Sequence, residues 1–165
     1  MDFANEHKIA VNLVSLVCSS LSFPDLTNNI TVIWNNRFTW KMGEAWWDGK
    51  TGVVKLSKPL WPRATEVQRR EIVIHEICHI IVGAKYGSAG WGKPHGKIWK
   101  DLMRQCGEKG DRTHTVDRTG LKRTGKKHRI ECGCHVWFVG STIYKRLISG
   151  KKYICPKCSG RCYVV

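Results

Sequence analysis

What this chain lacks narrows its biology first. No apolar run reaches the roughly 18 residues of a membrane span. The nearest imitation, Ile9 to Leu21, is interrupted by Asn12 and Ser15 and led by Asp2 and Glu6 against a single Lys8, which reads against an export signal. Ile9, Leu13, Leu16, Val17 and Leu21 fall at helical spacing, so the segment predicts an amphipathic first helix over residues 6–22 of an intracellular protein with no membrane partner, in cytoplasm or nucleoid, or in a nucleus if the source is eukaryotic. Acidic residues are scarce: 13 Asp and Glu stand against 28 Lys and Arg, a net charge of +15. So basic a chain is expected to meet a polyanion, nucleic acid first. Proline is sparse and 42% of residues are apolar, enough for a core, so wholesale disorder and a fibre are excluded. Without an export signal, the eight cysteines read as metal ligands or buried hydrophobes rather than disulfides. Cys18, Cys78, Cys106 and Cys162 are expected to be buried; the other four have metal-like spacing.

Alternation of Ile30, Val32 and Trp34, then of Phe38, Trp40 and Met42, then the run Val53 to Ser57 after Asp48-Gly49, predicts a small antiparallel sheet of about three strands. Five tryptophans between Trp34 and Trp61 are expected to pack its faces and the core. Thr65 and Gln68 have capping-box spacing, and a helix should run from Glu66 to Lys85 with Ile72 to Val82 apolar on nearly every side, hence buried. Gly83, Gly87, Gly90 and Gly92 suggest a loose loop, followed by a helix over 95–106 closed by Gly107. Residues 107–130 are glycine- and charge-rich and read as a connector; 129–165 are strand-like with cysteines at both ends. The expected domains are 1–106, a basic flexible linker 107–128, and a module 129–165.

His75-Glu76-Ile77-Cys78-His79 is H-E-x-x-H. On a helix, residues four apart share a face, so both histidines can meet one zinc ion, while Glu76 reaches a water activated by that ion and takes its proton. Two imidazoles and a carboxylate among Ile and Val would cost several kcal/mol if buried without partners. A catalytic zinc takes three protein ligands and leaves a position open. The metzincin continuation is excluded, because Val82 and Lys85 occupy the positions of its Gly and third His. Of His95, Asp101 and Glu108, His95 is preferred: its helix continues through Ile98, Trp99 and Leu102, whereas Asp101 points elsewhere and Glu108 lies beyond Gly107. Glu108 is the fallback.

His75-Glu76-x-x-His79 followed after a Gly-containing loop by His95-Gly96-x-x-Trp99, with Leu56-Ser57-x-x-Leu60 upstream, resembles the SprT-like metalloprotease family, which includes Spartan. The resemblance covers roughly 6–165. It implies an α+β zincin-like core of N-terminal helix, small sheet, zinc helix and following helix, with His75, His79 and His95 as zinc ligands and Glu76 as catalytic base.

Cys155-Pro156-Lys157-Cys158 is C-x-x-C and Cys132-Gly133-Cys134 is C-x-C, 20 residues apart. Thiolate pairs on two hairpin tips make a β zinc ribbon, whose structural zinc would hold together a module too small to fold on burial alone. Proteins of the resembled family often end in such a ribbon, with an apolar or aromatic residue two before each pair, here Ile130 and Tyr153. His135 and Cys162 are alternative ligands nearby. The expected cofactors are two Zn²⁺, one catalytic and one structural.

Residues 107–165 carry a net +10, two thirds of the excess. Lys122, Arg123, Lys126, Lys127, Arg129, Lys145, Arg146, Lys151 and Lys152 are the candidate phosphate contacts. Trp137, Phe138, Tyr144 and Tyr153 are interleaved for stacking on bases, with Trp137 or Phe138 reserved for the ribbon's core. Binding should be sequence-tolerant and salt-sensitive. With the resemblance, this predicts a monomeric zinc metalloendopeptidase acting on DNA-bound or DNA-crosslinked proteins, a crosslink-repair role, recruited by linker and ribbon to single-stranded or damaged DNA. The alternatives are a non-catalytic nucleic-acid-binding zinc protein and a metalloprotease of free proteins.

Overall fold

A computed structural model describes residues 1–91, 94–111, 116–121 and 125–165, with backbone alone at 88–91. The chain divides into two compact units, Met1–Lys122 and Arg123–Val165. No helix among the described residues is long and apolar enough to cross a membrane.

The first unit begins with α1 (Phe3–Ser20), started by Asp2, whose carboxylate accepts from the N–H groups of Ala4 (2.9 Å) and Asn5 (3.3 Å). Its buried residues are Ala10, Val14, Val17 and Cys18, with Leu21 just beyond. The expected stripe is therefore corrected: Ile9 is 47% and Leu16 67% exposed. Small Ala10 and Cys18 let α1 approach its neighbours, and the larger side chains are left at the rim. A short 3-10 segment (Pro24–Asn29) leads into the sheet.

The three strands are β1 (Ile30–Asn35), β2 (Gly43–Trp47) and β3 (Gly52–Ser57), in the order β1-β3-β2. The sheet is mixed rather than antiparallel: β3 pairs parallel with β1 and antiparallel with β2. The second strand lies at 43–47, not 38–42. Asp48 decides this, because its Oδ1 accepts from the N–H groups of Lys50 (2.8 Å) and Thr51 (2.6 Å) while Gly49 takes φ 101°, closing a tight hairpin that fixes β2 against β3. The expected tryptophan packing holds for buried Trp61 and half-buried Trp34 and Trp47, whereas Trp40 and Trp46 are each 51% exposed.

Helix α2 (Glu66–Trp91) opens with the expected capping box: Gln68 N–H donates to Thr65 Oγ1 (3.2 Å) and Thr65 N–H to Gln68 Oε1 (2.9 Å). It passes the expected loop start at Gly83 and breaks at Gly87 (φ 56°, ψ −144°). Gly92 lies outside the described residues. Ile72, Val73, Ile74, Ile77, Cys78, Ile80, Ile81 and Val82 are all buried, as a helix inside its domain requires. Helix α3 (Lys97–Gln105) buries Trp99, Leu102 and Met103, while Ile98 is 40% exposed. Gly107 at φ 80° ends it, with its N–H on Arg104 O and that of Glu108 on Met103 O.

The expected linker 107–128 is also revised. Gly110 packs on Met103 and Lys100, Val116 is buried in the core, and Leu121 packs against it. Arg63 Nη1 donates to Thr119 O at 2.7 Å. These described residues thus belong to the first unit; their sparse apolar side chains, only two in number, concealed the packing.

In the second unit, β4 (Lys127–Cys132), β5 (His135–Gly140) and β6 (Tyr163–Val164) form an antiparallel sheet in the order β5-β4-β6. A helix, α4 (Ser141–Ile148), interrupts what reads as continuous strand; Ile143, Tyr144 and Leu147 pack its inner face on a core of Ile130, Val139, Cys155 and Cys162. That i, i+1, i+4 spacing is the helical signal the strand reading overlooked.

Glu6 ties the first unit's layers. It accepts from Trp61 Nε1 (2.8 Å) and from Arg69 Nη1 (2.9 Å), and Trp61 is 2% exposed. Replacing Glu6 by Ala orphans a buried indole N–H and is expected to cost about 2 kcal/mol, measured by urea unfolding.

Candidate metal centres

Helix α2 brings His75 and His79 to one face, and the turn before α3 brings His95 opposite. The three Nε2 atoms form a triangle with all sides 3.2 Å. His75 and His79 are 6% and 8% exposed. Trp99 locks the rings: its indole stacks on His79 (centroids 5.4 Å, 23°), meets His75 and His95 edge-on, and donates Nε1–H to the His75 carbonyl oxygen at 3.3 Å.

The triangle cannot be held by hydrogen bonds alone. Each Nε2 of a neutral ring is either a donor or an acceptor, so of three at least two are alike and repel. A cation satisfies all three as acceptors. Tetrahedral zinc with Zn–N of about 2.0 Å places its nitrogens about 3.3 Å apart, close to the sides seen here. Burial, then proximity to His95, drops His79 to about 4, so its ring is neutral near pH 7 and needs no proton removed before binding metal. The donor set fits zinc. Of the weighed alternatives, Asp101 accepts from Arg104 (2.9 Å) and Glu108 is ion-paired to Arg70.

Glu76 is 7% exposed. Burial pushes its carboxyl up to about 8, opposed by the charge of Lys41, reinforced by Glu44 and opposed again by the N–H of Ala45. It lies against β2: a Cβ on Gly43 would fall 2.5 Å from Glu76 Oε1 and 2.7 Å from its Cγ. Gly43, Ala45 and Lys41 escaped sequence reasoning, because nothing in the strand's alternation marks a glycine as the floor beneath a carboxylate 33 positions away.

In the second unit the β4–β5 turn carries Cys132 and Cys134, and a knuckle closed by the Ile154–Arg161 bridge carries Cys155 and Cys158. The sulfur separations are 3.2 Å (132–134), 3.7 Å (134–155) and 3.7 Å (132–158). Four thiolates on zinc at about 2.3 Å stand about 3.8 Å apart. Backbone N–H groups of Cys134, Lys157 and Gly160 each aim at a cysteine sulfur at 3.4 Å, an arrangement suited to thiolate charge. His135 Nδ1 lies 2.8 Å from Cys134 Sγ, shorter than the roughly 3.5 Å between sulfur and nitrogen ligands of one zinc, so it fits a hydrogen-bond partner better than a fifth ligand. Cys162 is buried in the core below. The donor set fits a closed zinc site.

The candidate nucleic-acid residues Lys126, Lys127, Arg129, Lys145, Arg146, Lys151 and Lys152 are all exposed. Lys122 and Arg123 lie outside the described residues. Of the four aromatic candidates, Trp137 stacks on His135, Tyr144 stacks on His128 and Tyr153 packs on the core; Phe138 is 64% exposed, cross-strand from Arg129.

Two outcomes follow for the metal-stripped protein. Glu76 has its pKa raised from 4.5 to about 8, so the folded state holds a proton that the unfolded chain releases. Its contribution to stability is greatest below pH 4.5 and is lost as pH rises toward 8. Glu76→Gln should therefore unfold later than wild type at pH 8, by at least about 1 kcal/mol, with the difference shrinking toward pH 5 in chelator-treated denaturation curves. Gly43→Ala should destabilise by about 1–3 kcal/mol in the same assay, through overpacking against Glu76.

A family model described as the SprT-like family matches residues 16–120. Proteins named Protein SprT are similar: that of Glaesserella parasuis is 31% identical over 91 residues, covering 54% of this chain and 55% of the relative. That of Vibrio parahaemolyticus is 26% identical over 107 residues (64% and 62%), and that of Escherichia coli 29% over 118 (70% and 67%). The chain thus matches little more than half the length of the first of these. Among solved structures, the metallopeptidase zymogen of Pyrococcus abyssi abylysin aligns over 60% of this chain and 96% of its own, at 19% identity and a TM-score of 0.34.

Proposed function

The chain belongs to the SprT-like family, and from that premise we propose that it is a zincin-type, zinc-dependent metalloendopeptidase acting inside cells on DNA-bound or DNA-crosslinked proteins. The observation that carries the peptidase reading is the triangle of His75, His79 and His95 with Glu76 one residue round the same buried helix. Zinc held by the three imidazoles would supply Lewis acidity to a water and to the scissile carbonyl. The chain's own groups do the rest. Glu76 accepts the proton of the attacking water at its carboxylate and delivers it to the leaving amine. Burial raises the proton affinity of this carboxyl in the cation-free site, and a bound cation would favour its ionised, proton-accepting form. Gly43 leaves room for the carboxylate, and Ala45 N–H orients it. Strand β2, an edge of its sheet, offers backbone groups beside Glu76 to an extended substrate. Trp99 keeps the rings in place and shields them from water.

The second unit is read as a zinc ribbon that recruits the enzyme to DNA. Its four cysteines suit a structural zinc, and its exposed lysines and arginines, with Phe138 open beside Arg129, suit single-stranded or damaged DNA without sequence preference.

Glu76→Gln is expected to lower cleavage of a DNA-crosslinked protein by at least about 100-fold while zinc content stays at two per chain. His75→Ala should lose one zinc and all activity. Wild-type levels of cleavage in Glu76→Gln would remove Glu76 from the mechanism. DNA binding without cleavage by the wild type would favour a non-catalytic zinc protein, and cleavage indifferent to DNA and to added salt would favour a protease of free proteins.

A further inference from the structure

The register of β2 with β3 fixes which of its backbone groups face outward. Ser57 N–H donates to Met42 O at 2.8 Å, and Asp48 N–H donates to Thr51 O at 3.2 Å, at the two ends of the β2–β3 pairing. Both bonds fall at even-numbered positions of the second strand, and antiparallel pairs alternate between bonded and non-bonded. Glu44 and Trp46 therefore turn their backbone groups toward β3. Gly43, Ala45 and Trp47 turn theirs the other way, to the edge of the sheet. Ala45 N–H meets Glu76 from that edge. A strand added there would run along the backbone of these three residues, past the Glu76 carboxylate.

The side chains of β2 alternate between the two faces of the sheet. Gly43 faces α2, where a Cβ would collide with Glu76. Ala45 and Trp47 share that face and pack on the core. Glu44 and Trp46 stand on the opposite face. Glu44 is ion-paired to Lys41 and lies across from Lys55, so its charge is balanced. Trp46 is 51% exposed. Its cross-strand neighbour on one side is half-buried Val53, and on its other side is the sheet edge. A large indole is thus held next in sequence to Ala45, where it fills no core.

We propose that Trp46 is a specificity-determining residue, selecting an aromatic or β-branched apolar side chain from an extended polypeptide substrate laid antiparallel along β2. The inference rests on the peptidase reading above, because that reading makes the β2 edge the path of the substrate. In such a strand the residue opposite Trp46 falls in a non-hydrogen-bonded pair, with Cα atoms about 4.5 Å apart, the closer of the two spacings. An aromatic or β-branched side chain there covers the open side of the indole, as Val53 covers the other. A cross-strand pair of this kind favours binding by up to about fivefold. Glu44 lies two residues away on the same face; already neutralised, it imposes no preference for charge. Ala45 and Gly43 border Glu76, and a strand rises about 3.3 Å per residue, so the selected position lies within about three residues of the scissile bond.

The test uses the full, zinc-loaded chain and two readouts. In the first, the chain digests a mixture of unfolded proteins in the presence of DNA, and the cut sites are mapped by mass spectrometry. Phe, Tyr, Trp, Ile and Val are expected to be enriched at one fixed position near the cut. Trp46→Ser should erase that enrichment and Trp46→Phe should retain it, whereas a purely structural role would slow all cuts alike and leave the pattern unchanged. In the second, the ¹⁵N-labelled Glu76→Gln protein is titrated with a decapeptide of Ser and Gln carrying a single Tyr, and with its all-polar counterpart. The Tyr peptide should shift the amide signals of Gly43, Ala45 and Trp47 and bind up to about fivefold more tightly, a difference lost when Trp46→Ser is added. Those shifts without any cleavage by the wild type would sink the peptidase reading and keep the subsite. Cleavage without apolar enrichment, enrichment that survives Trp46→Ser, equal binding of the two peptides, or binding that leaves the three amides unmoved would each overturn the role of Trp46.

Discussion

Three imidazole nitrogens held 3.2 Å apart, two of them on a helical stretch whose buried apolar residues are all Ile, Val and Cys, cannot all be satisfied unless positive charge sits between them. Much of the first unit can be understood as the means of holding that arrangement. Buried on almost every side, α2 cannot rotate to move its polar trio toward water. Strand β2 stands close enough that only a glycine fits against Glu76. The Trp99 indole fills the angle between the rings, and its N–H pins the His75 backbone. A cation therefore removes a penalty that the apolar packing has already imposed, and metal binding and folding become coupled.

The second unit meets the same problem by other means. Its buried core is Ile130, Val139, Cys155 and Cys162, with six half-buried neighbours, too little apolar area for a module of this size to rest on. Two of those core residues are cysteines, one of them in the metal set. Burial raises the Cys132 thiol, but the backbone N–H and thiol of Cys134, with further donors, outweigh it and bring Cys132 down to about 6, while Cys134, as the donor, is raised. Left to themselves the two share one proton; a divalent cation is what would let both ionise.

The site was more legible in the sequence than the fold around it. Histidines four apart on an apolar helix announce a shared face, because the helical period is fixed by backbone geometry. Trp99 and Leu102 likewise marked the face that turns His95 inward. Topology was less visible. Alternation marks a strand but says nothing of its partner, so a sheet in which β3 lies between β1 and β2 and runs parallel to β1 read as simply antiparallel. The offset of β2 came from Asp48, a hydrogen-bond detail of one turn. The stripe on α1 was misplaced because Ala10 and Cys18 are weak apolar signals by size, although size is why they pack closest. Helix α4 was hidden by β-branched and aromatic residues that suit either state.

The return of residues 116–121 to the first unit determines where the polypeptide can be divided. Val116 and Leu121 cover apolar surface that would otherwise face water, and Arg63 is anchored to the carbonyl oxygen of Thr119. An excised fragment ending after α3 would uncover that surface and invite self-association. One extending through Lys122 carries its own lid, so the natural seam between the units lies 17 residues beyond the end of α3.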